Sequence, residues 1–506
     1  MLFYLLAFVV IAAFVSYPLT NYIGLLARRW GFVDRPDGHH KGHSREVALG
    51  GGLAVFLAAA TTFAVEYLSS SPLQKILADE APYLGGLLLA GAWIVGVGLY
   101  DDRFGLRGRY KLLGQVIAAL IVIRAGLVIE SFVVFEERIH LGPFSTAFTI
   151  FWLLGAMNSL NLLDGIDGLA STIGIILTAT ITVIAMIAGQ DAVAVVGAVF
   201  TGSLLGFLRF NFPPAKIFLG DAGSMLIGLV VGTLAIGGSM KGPATVAMAA
   251  PLAIWALPIF DSIAAILRRK LTGRSIYATD RGHLHHRLLV VFGKNTRVLA
   301  VVAICCAVTC AGALFSTFFK NDLMAIIAVI SVLCMLVATQ AFGHVEFLIL
   351  FSRLKSLFSL LIHGDGPREY SIRLQGSRDW NIMWQSITEF AEKLNLVEVK
   401  LDLNLVAMQE GFHATWRRPS TCEKRDRWSA DIPLFAEEHL IGRLWVSGNR
   451  PVELTSCETI HQLMDLLEPL EAEIVALATN HPAEDTPPVP AETLPSSPSS
   501  SRVPVT

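Results

Sequence analysis

The chain has 506 residues and carries 39 Lys and Arg against 41 Asp and Glu, a formal net charge of −2. That balance gives no argument for nucleic acid as a partner. Hydrophobic residues make up 54% and charged residues 16%, and the mean hydropathy of +0.59 argues against a soluble globular class once the arrangement of those residues is read.

The apolar residues fall in long runs, among them 2–27, 85–100, 172–188 and 298–319. Such runs meet or approach the roughly 20 residues needed to span a bilayer. Backbone polar groups in hydrocarbon must pair within their own segment, so an all-α polytopic bundle is expected. About eleven spans are predicted, near 2–27, 48–68, 84–100, 112–129, 144–160, 169–188, 192–208, 222–238, 244–267, 297–318 and 323–342. The first is too long, and too closely followed by others, for a cleaved signal peptide. Cys305, Cys306, Cys310 and Cys334 lie in apolar runs and Cys422 and Cys457 stand alone, a distribution without metal-type spacing.

Cations concentrate in alternate connections. Arg28, Arg29, Arg35, Lys41 and Arg45 follow the first predicted span; Arg103, Arg107, Arg109 and Lys111 follow the third; Arg268, Arg269, Lys270, Arg274, Arg281 and Arg287 follow the ninth. The bias of Lys and Arg toward the cytoplasm then places the N-terminus outside and the C-terminus inside. On the outer side, 128–142 alternates imperfectly, as a short surface hairpin would.

Beyond about residue 364 the composition turns mixed and charged. A helix is expected over 380–396, strands over 397–403, 412–417 and 439–446, and a second helix near 457–478, together a small α+β domain. The resulting organisation is a membrane domain over 1–345, a linker over 346–369, a soluble cytoplasmic domain over 370–480 and a disordered Pro/Ser-rich tail over 481–506.

The polar groups at the apolar boundaries carry the chemistry. The stretch 158–170 reads NSLNLLDGIDGLA, with Asn158, Asn161, Asp164 and Asp167 three residues apart. On a helix they would drift slowly around one face; the alternative is a solvated loop with Asx-turns at its glycines. Asp101-Asp102 and Asp221 mark two further boundaries, and topology places all three acidic knots on the side of the basic loops. Ionisable groups beside spanning segments mark functional paths. Several carboxylates without cysteine suit a hard cation such as Mg²⁺ bridging phosphates. Phosphoryl transfer needs that arrangement, because its transition state spreads charge over phosphate oxygens. Asp221 opens a helix after Pro213-Pro214, where a carboxylate also serves as an N-cap. Asp101 and Asp102 are adjacent, so their side chains diverge; the plainer alternative is a solvated turn. The run 280–286, DRGHLHH, offers phosphate contacts, a metal site or a solvated loop.

In combination these segments resemble the polyprenyl-phosphate N-acetylhexosamine-1-phosphate transferases. GLYDDRFGLRGRYKLLGQ (98–115) is similar to the family's acidic pair followed by KLxxQ, and NSLNLLDGIDGLA to its N-x-x-N-L-x-D-G-x-D-G-L-A. FNFPPAKIFLGDAGSMLIG (210–228) resembles the segment ending G-D-x-G-S, and DRGHLHHRLL (280–289) the histidine loop of the branch using UDP-N-acetylglucosamine. The branch using UDP-N-acetylmuramoyl-pentapeptide usually has three consecutive histidines, which this loop lacks. The first cytoplasmic loop departs from the family: the expected leading arginine is His40, and two expected prolines are Glu46 and Ala48.

The resemblance, which covers about residues 1–345, implies an enzyme of the bacterial inner membrane. It would transfer N-acetylglucosamine 1-phosphate from UDP-N-acetylglucosamine to undecaprenyl phosphate, with Mg²⁺ (or Mn²⁺) as cofactor, and a membrane homodimer is usual. It implies that Asp221, with Asn161, binds the metal; that Asp101, with Asp102 nearby, acts on the lipid phosphate; and that Asn158, Asn161, Asp164 and Asp167 position the nucleotide. Phe218 would stack on uracil, and Lys111, His283, His285 and His286 would contact phosphates. A covalent aspartyl intermediate is the rival mechanism, the muramoyl-pentapeptide the rival substrate. The rival classes are a regulatory scaffold and a transporter; a transporter would place charges near mid-span and show related halves.

Overall fold

The computed structural model describes residues 1–35, 46–68, 78–134, 137–240, 255–271, 284–340, 368–375, 380–394, 396–405, 410–418, 427–436 and 439–449, with the single positions Gln74, Leu252, Phe342 and His461. His283, His40 of the first cytoplasmic loop and most of the predicted helix near 457–478 lie outside the described residues. The chain divides into two compact units, Met1–Leu354 and Lys355–Thr506.

The first unit is helical. Its elements run α1 (Leu2–Arg29), a two-residue ribbon of β1 (Val33–Asp34) and β2 (Val47–Ala48), α2 (Gly51–Leu68), α3 (Ala81–Phe104) and α4 (Gly108–Arg124). An antiparallel hairpin of β3 (Ser131–Val134) and β4 (Glu137–His140) follows, in agreement with the reading of 128–142. Then come α5 (Ser145–Leu163), α6 (Leu169–Ile187), α7 (Asp191–Asn211), α8 (Gly220–Met240), α9 (Ala256–Leu271), α10 (Leu284–Phe292), α11 (Asn295–Phe319) and α12 (Asp322–Ala338).

Among the described residues, eight helices are long and apolar enough to cross a membrane. The predicted spans at 112–129, 244–267 and 323–342 correspond to the shorter helices α4, α9 and α12, so eleven crossings are not established by length and hydropathy. In α4 the reason is plain: Arg109, Lys111 and Arg124 fall within its 17 residues. Large apolar side chains such as Phe3, Phe14, Phe151 and Ile304 are exposed. Apolar exposure on this scale would be a liability in water and suits lipid.

Lipid offers little hydrophobic drive between helices, so close packing and internal hydrogen bonds hold the bundle together. Gly202 and Gly206 on α7 face the backbone carbonyls of Val9 and Ala13 on α1, where a Cβ would clash. Ser16 Oγ donates to the Ser203 carbonyl at 2.6 Å across the same contact.

The second unit is a five-stranded antiparallel sheet of β5 (Arg368–Gln375), β6 (Leu396–Leu405), β7 (Glu410–Arg417), β8 (Arg427–Ala436) and β9 (His439–Asn449), in the order β5-β7-β6-β9-β8. Helix α13 (Asn381–Lys393) packs on it. The side chains of Trp380, Trp384, Ile387, Val399, Leu401, Leu403, Phe412, Trp416 and Leu444 form its core. The period-2 burial of Val399, Leu401 and Leu403 is the pattern of a strand with one covered face.

Candidate functional site

The acidic segments lie at helix ends that hydrogen bonds bring together. Asp101 and Asp102 end α3, Lys111 lies in the first turn of α4, Asn158 and Asn161 end α5, Asp164 and Asp167 fill the turn before α6, and Asp221 opens α8. The connections α3–α4, α5–α6 and α7–α8 therefore share one end of the bundle.

At the centre is the Lys111 ammonium. Its Nζ donates to Asp221 Oδ2 at 2.6 Å and to Asn161 Oδ1 at 3.1 Å, and pairs with Asp101 Oδ2 at 3.0 Å. Four helices thus meet on one cation. Asn161 Nδ2 donates to Asp221 Oδ1 at 2.6 Å and to Ser224 Oγ at 2.9 Å, which fixes the face that the Asp221 carboxylate presents. Below this, Asn158 and Gln115 exchange amide hydrogen bonds at 2.8 and 3.2 Å, joining α4 to α5. Lys111 and Gln115 stand four residues apart, on one face of α4.

The adjacent acids do diverge. Asp101 turns toward Lys111 and also accepts the Leu106 N–H at 2.6 Å. Asp102 turns toward α8, accepting the N–H groups of Asp221 at 2.8 Å and Ala222 at 3.4 Å. Those amides are unpaired within their own helix and carry its positive dipole end, so a carboxylate from a neighbouring helix satisfies both needs. Gly220 makes the approach feasible: its φ of +71° favours glycine, and a Cβ there would lie 2.5 Å from Asp102 Oδ2.

The stretch 158–170 divides between two structures. Asn158 and Asn161 are helical, whereas α5 stops at Leu163 and Gly168 starts α6 from a left-handed conformation. Asp164 and Asp167 consequently leave the helical face. Asp167 Oδ2 accepts the Ala215 N–H at 2.9 Å and ties down the loop after Pro213-Pro214. Burial, followed by the negative fields of Asp221, Asp102 and Asp167, holds the Asp164 carboxyl well above the usual carboxylate range.

Two residues with no assigned role support the surroundings of Asp221, one before the loop that leads to it and one after it on α8. Buried Asn211 donates to the Ile217 carbonyl at 2.9 Å and accepts from Ser171 Oγ at 2.8 Å. Ser224, three residues after Asp221 on α8, is the other partner that the sequence reading left out; its helical spacing was the available signal. Phe218 is half-buried, and its backbone pairs with Ala48 of β2 and Gly51 at the start of α2. His285 and His286 lie in α10, but their side chains, like all of His283, are outside the described residues.

The profile of glycosyl transferase family 4 matches residues 84–239, the span that contains these acids. The chain is 34% identical over 286 residues to a probable undecaprenyl-phosphate N-acetylglucosaminyl 1-phosphate transferase of Bacillus subtilis, covering 56% of this chain and 76% of that protein. It is 32% identical over 337 residues to a decaprenyl-phosphate N-acetylglucosaminephosphotransferase of Mycobacterium leprae, covering 61% and 83%. A phospho-N-acetylmuramoyl-pentapeptide-transferase of Thermoanaerobacter is 35% identical over 220 residues, covering 41% of this chain and 68% of its own length. The matches extend well beyond the motifs through most of each relative's length, and on that ground this multi-pass membrane protein belongs to glycosyl transferase family 4.

Proposed function

We propose that this chain transfers N-acetylglucosamine 1-phosphate from UDP-N-acetylglucosamine to undecaprenyl phosphate and releases UMP. The relatives named for N-acetylglucosamine transfer match over more of this chain than the pentapeptide transferase does. The observation that carries the reading is the convergence of Asp101, Asn161 and Asp221 oxygens on one cation at one end of the helical bundle. A diphosphate and its counter-cation need such a place.

The residues present fit a divalent metal. Asp221 Oδ2 and Asn161 Oδ1 both lie within 3.1 Å of a positive charge, and the donors are hard oxygens, the preference of Mg²⁺ and Mn²⁺. Among the described residues no three His, Cys, Asp or Glu side chains meet as a ready ligand set. Mg²⁺ tolerates this, since it typically takes one or two protein ligands and fills its sphere with water and phosphate oxygens. Asp221 and Asn161 would hold the ion, and it would neutralise charge on the diphosphate.

Lys111 brings a second cation to the phosphates, steered by Asp101. Asp102 and Asp167 set the start of α8 and the loop before it, so we assign both to positioning rather than to the reacting groups. Asp164, kept from ionising easily, answers to the charge brought by substrate and metal. Asn158 braces Gln115 on the face of α4 that carries Lys111, Phe218 faces the uracil, and His283, His285 and His286 contact phosphates. An oxygen of the lipid phosphate forms a bond to the β-phosphorus of the UDP-sugar. The bond from that phosphorus to the bridging oxygen breaks, and UMP leaves with the electron pair. The second pKa of a phosphate monoester is about 6, so the nucleophile is largely dianionic near neutral pH and needs no strong base.

In this reading the shorter helices α4, α9 and α12 also cross, the N-terminus lies outside the bacterial inner membrane, the site and second unit face the cytoplasm, and two copies pair. Purified protein given Mg²⁺, undecaprenyl phosphate and either UDP-N-acetylglucosamine or UDP-N-acetylmuramoyl-pentapeptide tests the proposal. UMP release from the first alone is expected; release from the second alone would transfer the chain to the other branch.

A further inference from the structure

A carboxylate outside the acidic cluster is wholly buried in the membrane unit. Asp261, in the second turn of α9, has no exposed surface, and its Oδ1 accepts the Leu284 N–H at 2.7 Å. Burying a carboxylate is costly without compensating bonds, so its retention in an apolar helix calls for a reason. Leu284 is the first residue of α10, whose opening N–H groups have no partner within the helix. Residues 285 and 286 of α10 are the histidines that the sequence singles out. Leu284 and Leu288 are buried on one side of α10, which packs on α11. Helix α9 in turn packs on α5, the helix that presents Asn158 and Asn161.

We propose that Asp261 is a positioning residue: through the Leu284 amide it fixes the start of α10, and so the histidine segment, relative to the helix bearing Asn161. The consequence for catalysis rests on the reading above, in which that segment contacts the diphosphate of the UDP-sugar. A capping carboxylate shared between two helices sets both the position and the entry angle of the second. Hydrophobic contacts of Leu284 and Leu288 hold α10 sideways, while the hydrogen bond selects where along α9 it begins. Sequence reading could not find this link, because donor and acceptor are 23 residues apart with a basic segment between them.

The test uses the full chain in lipid nanodiscs with three variants. Asp261→Leu removes the acceptor at similar volume, Asp261→Asn keeps an oxygen that can accept, and Leu284→Pro removes the donor at a helix position where proline is tolerated. Amide hydrogen exchange across 284–292 is expected to quicken in Asp261→Leu and Leu284→Pro and to stay close to the parent in Asp261→Asn. In the same two variants KM for UDP-N-acetylglucosamine should rise about tenfold, with kcat within about threefold, as loss of a binding contact predicts. Unchanged exchange in Asp261→Leu would overturn the inference, as would Asp261→Asn behaving like Asp261→Leu. Should Asp261→Leu fail to fold, Leu284→Pro and Asp261→Asn carry the same comparison. Faster exchange with an unchanged KM would uphold the positioning role and remove the diphosphate contact of the histidine segment instead.

Discussion

The two units use polar groups in opposite ways. Among the described residues of Lys355–Thr506 the interior is mainly tryptophan, leucine and phenylalanine, with His413 the one buried ionisable side chain, and the ion pair Arg443–Asp431 lies on the surface, with side chains 60% and 48% exposed. In Met1–Leu354 the outer faces of the helices are apolar, and charge is drawn inward to one end of the bundle: Asp101 is 9% exposed and Lys111 18%. Exposed pairs contribute roughly 0–1 kcal/mol, so the arrangement in the second unit needs no functional explanation. Partly buried charges require partners in good geometry, and removal of one leaves the other uncompensated. In the proposed reading the chemistry lies in the first unit, where the charges are the partly buried ones.

The sharpest way to break that contrast is Asp221→Asn, which preserves shape while removing the charge on which three helices converge. UMP release should fall by about 10³-fold or more, the scale expected when metal-assisted charge stabilisation is lost. Lys111→Met comes next. It leaves Asp101 and Asp221 facing one another without their shared cation, and turnover should drop by about 10²-fold. Its thermal unfolding should indicate a loss of about 1–3 kcal/mol, less than for a fully buried pair because the Asp221 side chain is 34% exposed.

The raised pKa of Asp164 predicts that cation binding depends on pH. Its folded-state pKa is raised, so in the window from the ordinary carboxylate value up to that raised value the cation-free protein holds a proton that the unfolded chain has lost. Stability of the cation-free protein therefore falls as pH rises through this window. A bound cation favours the ionised form, so its uptake releases the proton, and apparent Mg²⁺ affinity should increase by up to about tenfold per pH unit there. Calorimetry in two buffers of different ionisation enthalpy reads the released proton directly.

Smaller effects sharpen the comparison. Asp167→Ala leaves the Ala215 N–H without its acceptor, which should cost about 1–3 kcal/mol and reduce kcat through the misplaced start of α8. Asp167→Asn should recover most of both. Truncation after residue 364 should leave kcat within about threefold, since compact units with their own cores act with some independence. Complete loss of transfer would assign the second unit a part in the reaction.

Much of this was legible in the sequence, for definable reasons. Spans of 18 or more apolar residues and acids at their ends need only composition and periodicity, and alternation of helix direction then brings Asp101, Asn161 and Asp221 together. The partners of the acids were not legible. Asp102 caps α8 across 119 residues and Asp167 reaches Ala215 across 48, and in both cases the donor is a backbone N–H, which no side-chain motif records. The face shared by Asn158 and Asn161 does not continue to Asp164 and Asp167, because Gly165 and Gly168 sit in a turn that ends one helix and starts another. In the second unit, β5 and β8 are the two edges of the sheet, and their interrupted alternation, with Pro433 inside β8, hides them from pattern reading. The count of spans blurred at α4, where Arg109, Lys111 and Arg124 interrupt the apolar run.

Binding of Mn²⁺, followed by electron paramagnetic resonance in nanodiscs with UDP-N-acetylglucosamine present, tests the convergence of these helices most directly. The account predicts one tightly held ion per chain in the parent protein and loss of that ion in Asp221→Asn. Undiminished binding in the variant would place the metal, and with it the diphosphate, somewhere other than the start of α8.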